Sequence, residues 1–293
     1  MTTAETTIDQ SALNSMLETL PVLPTVASRI MAMDKDSDDY YEQVLSLAQE
    51  DPVIAAKIIQ LANSAAMAGI KRIETLPQAV ARVGINQASS LIISISLSSS
   101  FKPTSPTHCN LWVHALQTAV FARRLAHLNR LNVEQAYLAG LLHEIGRFLL
   151  LSSDKGKFDS IDVQTVTTTP ELLDAERLSF GFSSADIASA AMEHWGIPEP
   201  VATAITKHLA SKDSSDKYSA VLTAADRVSV LAMSNPELEN ADESECADCI
   251  KTLFADINGN GIFLPHQFVA QAYGGLLQEA AELTSSLGIS QNN

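Results

Sequence analysis

The sequence predicts an all-α protein. Three observations carry that prediction. Hydrophobic residues make up 46% of the chain and aromatics only 5%, so the core must be aliphatic, rich in the helix formers Ala and Leu. Apolar residues recur at helical spacing along most of the chain. Strand and helix patterns nowhere alternate as they would around a parallel sheet.

Residues 1–11 are Thr-rich and polar and are expected to be a flexible N-terminus. A short helix follows over Ser11–Thr19 and is broken by the prolines at 21 and 24. Pro24 suits the start of the next helix, Thr25–Met33, and Asp34–Asp38 reads as a polar turn. Tyr41, Val44, Leu45 and Ala48 share one helical face. Asp51-Pro52 is an N-cap followed by a first-turn proline; Ile54, Ile58, Ile59 and Leu61 form the buried face of that helix, and Gly69 follows its end. Thr75–Val83 is closed by Gly84. Leu91–Leu97 alternates like a strand, but its all-helical surroundings favour a helix. Residues 101–107, with prolines at 103 and 106, form a linker between an N-terminal helical bundle (12–100) and a larger helical domain (108–287), with a flexible tail at 288–293.

Beyond the linker, Leu111–Leu128 is amphipathic and Val133–Leu151 reads as one central helix, apolar nearly all round. The Thr-rich stretch 152–170 is polar. Helices are expected over Glu171–Phe180, Ser184–Trp195, Pro198–Leu209, Lys217–Met233, Cys246–Ala255 and Pro265–Leu287, with an acidic loop at 234–245.

His143 and Glu144 lie side by side in the most apolar helix, with Arg147 one turn on. Buried unpaired, such groups cost several kcal/mol, so a metal, an ion pair or a hydrogen-bond network must satisfy them. His114 on the preceding helix and Asp226 on a later one complete a set of two imidazoles and two carboxylates, which would suit one divalent transition metal. Alternatively, Glu144 and Arg147 pair at i, i+3 while His114, His143 and Asp226 close a hydrogen-bonded cluster.

The order Trp112-Val113-His114, then Leu138 through Arg147, then Ala225-Asp226, resembles the HD superfamily of metal-dependent phosphohydrolases. Further blocks narrow the resemblance to its signalling branch, the HDOD family: Leu20-Pro21-Val22-Leu23-Pro24, Glu50-Asp51-Pro52, Leu61-Ala62-Asn63-Ser64 and Ala79 through Gly84. Later come Glu176, Phe180-Gly181, Trp195 through Pro198, and Lys207-His208. The likeness covers roughly residues 12–235. It implies an N-terminal bundle packed on an HD-like domain and a remnant HD site of His114, His143, Glu144, Arg147, Lys207, His208 and Asp226. Against that pattern the His-Asp pair is His143-Glu144 here, Ser183-Ser184 stands where dinuclear members have a His, and Lys207-His208 replaces a His pair. The Gly-Tyr-Pro block of cyclic-di-GMP phosphodiesterases is absent.

The resemblance therefore implies a bacterial regulatory protein that works through protein partners, takes its input in trans and needs no cofactor. Two alternatives stay open. One is a mononuclear phosphohydrolase with His114, His143, Glu144 and Asp226 as metal ligands; the other is a nucleotide sensor using the remnant cavity. The net charge of −15 disfavours direct nucleic-acid binding. Three cysteines do not suggest a secreted disulfide framework, no 18-residue apolar run suggests a membrane span, and no signal peptide is evident, so a cytoplasmic protein is expected.

Smaller signals have plainer explanations. Asp256–Gly261 opens like a calcium loop, but Gln267 stands where the bidentate Glu belongs, so an Asn/Gly turn fits better. Cys246-x-x-Cys249 has no second half. Met31, Met33, Ala65-Ala66 and Met67 are read as helix packing, with an adaptable partner groove as the alternative.

Overall fold

The computed structural model describes residues 8–64, 72–161, 169–210, 216–255, 257 and 261–289. The expected features at Ala65-Ala66, Met67 and Gly69, at residues 162–168, and at Asp256 and 258–260 lie outside them. Among the described residues every element is helical, as the aliphatic composition predicts. The N-terminal half holds α1 (Gln10–Glu18), α2 (Thr25–Ala32), α3 (Tyr40–Glu50), α4 (Pro52–Ala62), α5 (Leu76–Val83) and α6 (Ile85–Ser100). Then come α7 (Pro106–Leu128), α8 (Val133–Leu142), α9 (Ile145–Ser153), α10 (Lys155–Asp159) and α11 (Thr169–Phe180). The chain continues through α12 (Ser184–His194), α13 (Glu199–Leu209), α14 (Lys217–Ser234), α15 (Glu243–Leu253) and α16 (His266–Ser286). No single helix is long and apolar enough to cross a membrane.

Local chemistry accounts for the boundaries. Asp51 caps α4 by accepting from the Val53 N–H at 2.8 Å, with Pro52 in the first turn. Gly84 turns the chain from α5 into α6 at φ +90°, a conformation that favours glycine. The α6 stretch that alternates like a strand is helical because its serines satisfy themselves. Ser89, Ser94 and Ser96 donate to the carbonyls four residues back at 2.8–2.9 Å, so this serine-rich helix can be buried over residues 88–98.

Four expectations need correction. The helix expected to run unbroken from Val133 to Leu151 is two helices, broken at His143-Glu144. The cause is local: the Gly140 carbonyl, which an unbroken helix would give to the Glu144 N–H, accepts from His143 Nδ1 at 2.7 Å. The polar stretch after residue 152 contains α10, capped by Asp154. The acidic 234–245 segment holds a 3₁₀ turn, Pro236–Asn240, and the start of α15 behind its Asp242 cap. The structured chain also begins inside the stretch expected to fray: Asp9 caps α1 and its N–H donates to Gly181 O at 2.7 Å.

The main core joins both halves. One cluster of buried side chains runs from Leu13 through Ile92, Leu116 and Leu150 to Leu283. A second lies between α7, α14, α15 and α16, around Phe121, Val228, Ile250 and Phe254. Two glycines let helices meet backbone to backbone. A Cβ on Gly140 would stand 2.6 Å from Ala119 Cα, and one on Gly146 would stand 1.9 Å from Ser184 O. These contacts hold α8 against α7 and α9 against α12, and so fix both sides of the break that carries His143 and Glu144.

Candidate functional site: a histidine–carboxylate centre

Five helices converge on this break. His114 projects from α7, His143 ends α8, Glu144 precedes α9, His208 lies in the last turn of α13 and Asp226 in the middle of α14. Asp226 Oδ1 lies 3.0 Å from His114 Nε2 and 3.6 Å from His143 Nε2. The two Nε2 atoms are 3.1 Å apart. Glu144 Oε1 is 3.8 Å from His143 Nε2, and Asp226 Oδ2 is 3.8 Å from His208 Nε2. Thus His114, His143, Glu144 and Asp226 come together as the sequence predicts, with His208 beside them.

Lys207 does not join them. Its side chain is exposed, because neighbours on a helix point about 100° apart and His208 takes the inward side of α13. The ammonium that the sequence could place at a second cation position therefore lies outside the cluster.

The outer nitrogens of the three imidazoles define their protonation. His143 Nδ1 faces the Gly140 carbonyl, which can only accept, so Nδ1 carries hydrogen. His114 Nδ1 lies 2.9 Å from Ser229 Oγ, whose own proton has Gln117 Oε1 at 3.0 Å and the His114 carbonyl at 3.3 Å as acceptors. His208 Nδ1 lies 3.0 Å from Thr223 Oγ1, which donates to Ser219 O at 2.9 Å. With Nδ1 as the donor, each ring, when neutral, turns an Nε2 lone pair inward toward a carboxylate. Lone pairs 3.1 Å apart beside carboxylates require positive charge between them, either a proton or a metal ion.

Both solutions fit the residues present. For the proton, burial alone would lower the His143 pKa, but Asp226, Glu144 and the Gly140 carbonyl outweigh it and hold it above the usual imidazole value. Burial would likewise raise the Asp226 carboxyl, yet the surrounding imidazoles hold it well below the usual carboxylate range. His208 is lowered, by its burial first. For the metal, ligand atoms of His114, His143 and Glu144 lie within 4.8 Å of one another. Four of the separations among these atoms and Asp226 Oδ1 are 3.0–3.8 Å, near the edge, about 3.4 Å, of a tetrahedron with bonds near 2.1 Å, but Asp226 stands outside the group that gathers within 4.8 Å, so Glu144 and Asp226 would have to draw together to share one ion. The outer hydrogen bonds on Nδ1 are those that orient metal-bound histidines. Glu144 Oε2 is buried with no hydrogen-bond partner among the described residues. A divalent ion held there would polarise a phosphoryl oxygen and acidify water.

Arg147 sits on the far side of Glu144, its Nη1 3.6 Å from Glu144 Oε2 and its Nε 3.8 Å from Glu176 Oε1. Burial would raise the Glu144 carboxyl, but Arg147 and the two nearby imidazoles hold it below its ordinary value. Glu176 accepts from the Ser184 N–H at 2.7 Å and from Ser184 Oγ at 2.6 Å, and Ser183 caps α12 in a reciprocal box with Asp186. Both serines are therefore committed to the start of α12. The supporting roles of Gln117, Thr223 and Ser229 were not anticipated, although a signal existed. Gln117 lies one turn from His114, and Thr223 and Ser229 one turn on either side of Asp226, so they share the inward faces.

The fold and this centre define an HD-like helical protein with a histidine–carboxylate site in its core. The HDOD domain profile matches residues 20–211, two thirds of the chain, and the chain belongs to the HDOD family. A solved HDOD domain protein of unknown function from Geobacter sulfurreducens superposes with TM-score 0.72 at 21% identity, covering 94% of this chain and 97% of that one. A Shewanella amazonensis protein, provisionally named a phosphohydrolase, gives 0.70 at 20% identity, covering 94% and 99%. An uncharacterised protein of Treponema pallidum is 25% identical over 224 residues, 75% of this chain, and the chain spans 43% of that relative's length. The structural likenesses carry the fold.

Proposed function

We propose that this HDOD protein is a regulatory module of signal transduction that acts by binding other proteins, and that its HD-type centre performs no turnover. One observation carries the reading. The charge that a second catalytic cation would bring is supplied from within, by Arg147 between Glu144 and Glu176. Substrate access is also narrow. Asp226, the most open of the inward-facing groups, is only 22% exposed, and His143 only 1%. On this reading the centre ties α7, α8, α13 and α14 into one rigid body that presents an interaction surface.

A second reading, a mononuclear phosphohydrolase, is favoured by the three Nε2 lone pairs that face carboxylates. Metal analysis of protein purified without chelator separates the two, combined with turnover assays on generic phosphoesters and cyclic nucleotides. The regulatory reading expects no turnover, and a folded His143→Ala variant. Stoichiometric metal with turnover that is lost in His143→Ala would overturn it in favour of the enzyme. Metal and nucleotide binding without turnover would point instead to a nucleotide sensor.

A further inference from the structure

A separate cavity of about 270 Å³ lies between the end of α2, α6 and the first turn of α8. Its apolar wall includes Ile30, Met31, Met33, Ile93, Leu138 and Pro198. Its polar wall includes Lys35, Ser90, Glu134 and Gln135, with Asp34 at the exposed rim. The Lys35 ammonium lies 3.5 Å from Glu134 Oε2, at the long end of a hydrogen bond. Glu134 Oε1 is buried and has no hydrogen-bond partner among the described residues. Burial lowers the Lys35 pKa, with Glu134 acting in the opposite direction.

These charges select a ligand. Glu134 Oε1 is sealed from the cavity, so a ligand ammonium would meet Glu134 through Oε2, which keeps lone pairs beyond the one that faces Lys35. Lys35 keeps N–H donors that Glu134 does not use, so it can receive an anion. A phosphate ester is disfavoured, because the lining sets one cation against the two carboxylates Asp34 and Glu134. The backbone N–H groups of Glu134 and Gln135 are no help to an anion either, since both donate to Asn132 Oδ1 at 3.1 Å. A purely cationic ligand would leave Lys35 facing a like charge. A zwitterion with both charges on one carbon satisfies both sides at once. The two methionines, flexible and polarisable, give its side chain an adaptable apolar wall.

We propose that this cavity binds a small free α-amino acid with an apolar side chain, its ammonium on Glu134 and its carboxylate on Lys35. The site does not depend on any reading of the histidine centre.

The test is calorimetric titration of the full chain with leucine, methionine and phenylalanine, beside analogues of leucine that lack the amine or the carboxylate. Saturable binding of at least one amino acid is expected. Leucine, if it is bound, should bind at least about tenfold more tightly than either analogue, equivalent to ~1.4 kcal/mol. Glu134→Gln and Lys35→Met should each weaken binding by a similar factor, with helical content unchanged. No saturable binding up to about 10 mM would overturn the proposal. So would equal binding of the truncated analogues, a comparison that needs only the unaltered protein and survives any failure of the variants to fold. Binding of a free nucleobase in place of the amino acids, lost in Glu134→Gln, would overturn it as well.

Discussion

Glu176 and Asp186 grip the same helix start, yet their acidities move in opposite directions. Burial dominates at Glu176 and pushes its carboxyl up, although the Ser184 donors and Arg147 pull the other way. Burial would also raise Asp186, but Arg177, at 3.0 Å, and the Ser183 donors outweigh it and hold it down. The two groups therefore contribute to stability with opposite pH dependence. A raised carboxyl favours folding below its unfolded value, near 4.3, and that contribution is lost as pH rises through the folded value. Glu176→Gln should accordingly match the parent protein near pH 4 and exceed it in stability by pH 8, as measured by urea midpoints across that range. A depressed carboxyl contributes above its unfolded value, near 3.9, and loses that contribution as pH falls. Asp186→Ala removes one partner of the capping box and of the Arg177 pair, so it should cost about 1–2 kcal/mol at pH 7 and progressively less in acid. A cost that stays constant down to pH 2 would mean that Asp186 acts by packing alone.

Helix spacing gives the next test, because the two close contacts that frame the centre both depend on a missing side chain. Gly146→Ala must push Ser184 O away from a Cβ that would otherwise stand at 1.9 Å, and the atom it meets is backbone, which yields poorly. A loss of about 3 kcal/mol is expected. Gly275, exposed on α16 with nothing within 4 Å of a new Cβ, is the control. Gly275→Ala should gain up to about 1 kcal/mol from helix propensity alone. Chemical denaturation of the two variants reads both signs. This scale also shows what the sequence could and could not reveal. Caps, first-turn prolines and apolar spacing placed α2, α5, α12–α14 and the start of α4 within a residue or two, because those signals are local. Hydropathy also made 133–151 look continuous, because the stretches on either side of the break, Leu138–Leu142 and Phe148–Leu151, are as apolar as a helix core. What ends α8 is a side chain competing for the Gly140 carbonyl, a contact with no pattern in composition. The ligand-like group was legible because His114, His143, Glu144 and Asp226 stand in recognisable blocks. The outer hydrogen bonds that orient the rings were not, since Ser, Thr and Gln occur throughout the chain and only packing says which of them face inward.

At the scale of the whole molecule the question is whether the linker at 101–107 separates two folding units. The contacts across it argue that they are one. Ser94 on α6 shares a buried hydrogen bond of 3.0 Å with Tyr137 on α8. Phe101, inside the expected linker, is buried and accepts from Trp112 Nε1 at 2.9 Å. Gln87 on α6 donates to Glu279 on α16 at 2.6 Å, and Glu279 also pairs with Arg123 on α7. Trp195 Nε1 reaches back to the Pro21 carbonyl at 3.1 Å. Cutting the chain at the linker would take Ser94 from Tyr137 and the Pro21 carbonyl from Trp195, and would uncover the face of α8 that packs on α6; buried polar groups left unpaired cost about 1–3 kcal/mol each. Differential scanning calorimetry of the full chain should therefore show one transition, with van 't Hoff and calorimetric enthalpies in agreement. A fragment starting at residue 101 should keep helical circular dichroism but bind a hydrophobic dye and melt without a sharp midpoint. Two separate transitions in the full chain, together with a fragment that melts cooperatively, would show that the polar centre needs only its own half. The first result would instead make the N-terminal bundle a structural condition for the centre, because α6 buttresses α8, the helix that ends in His143.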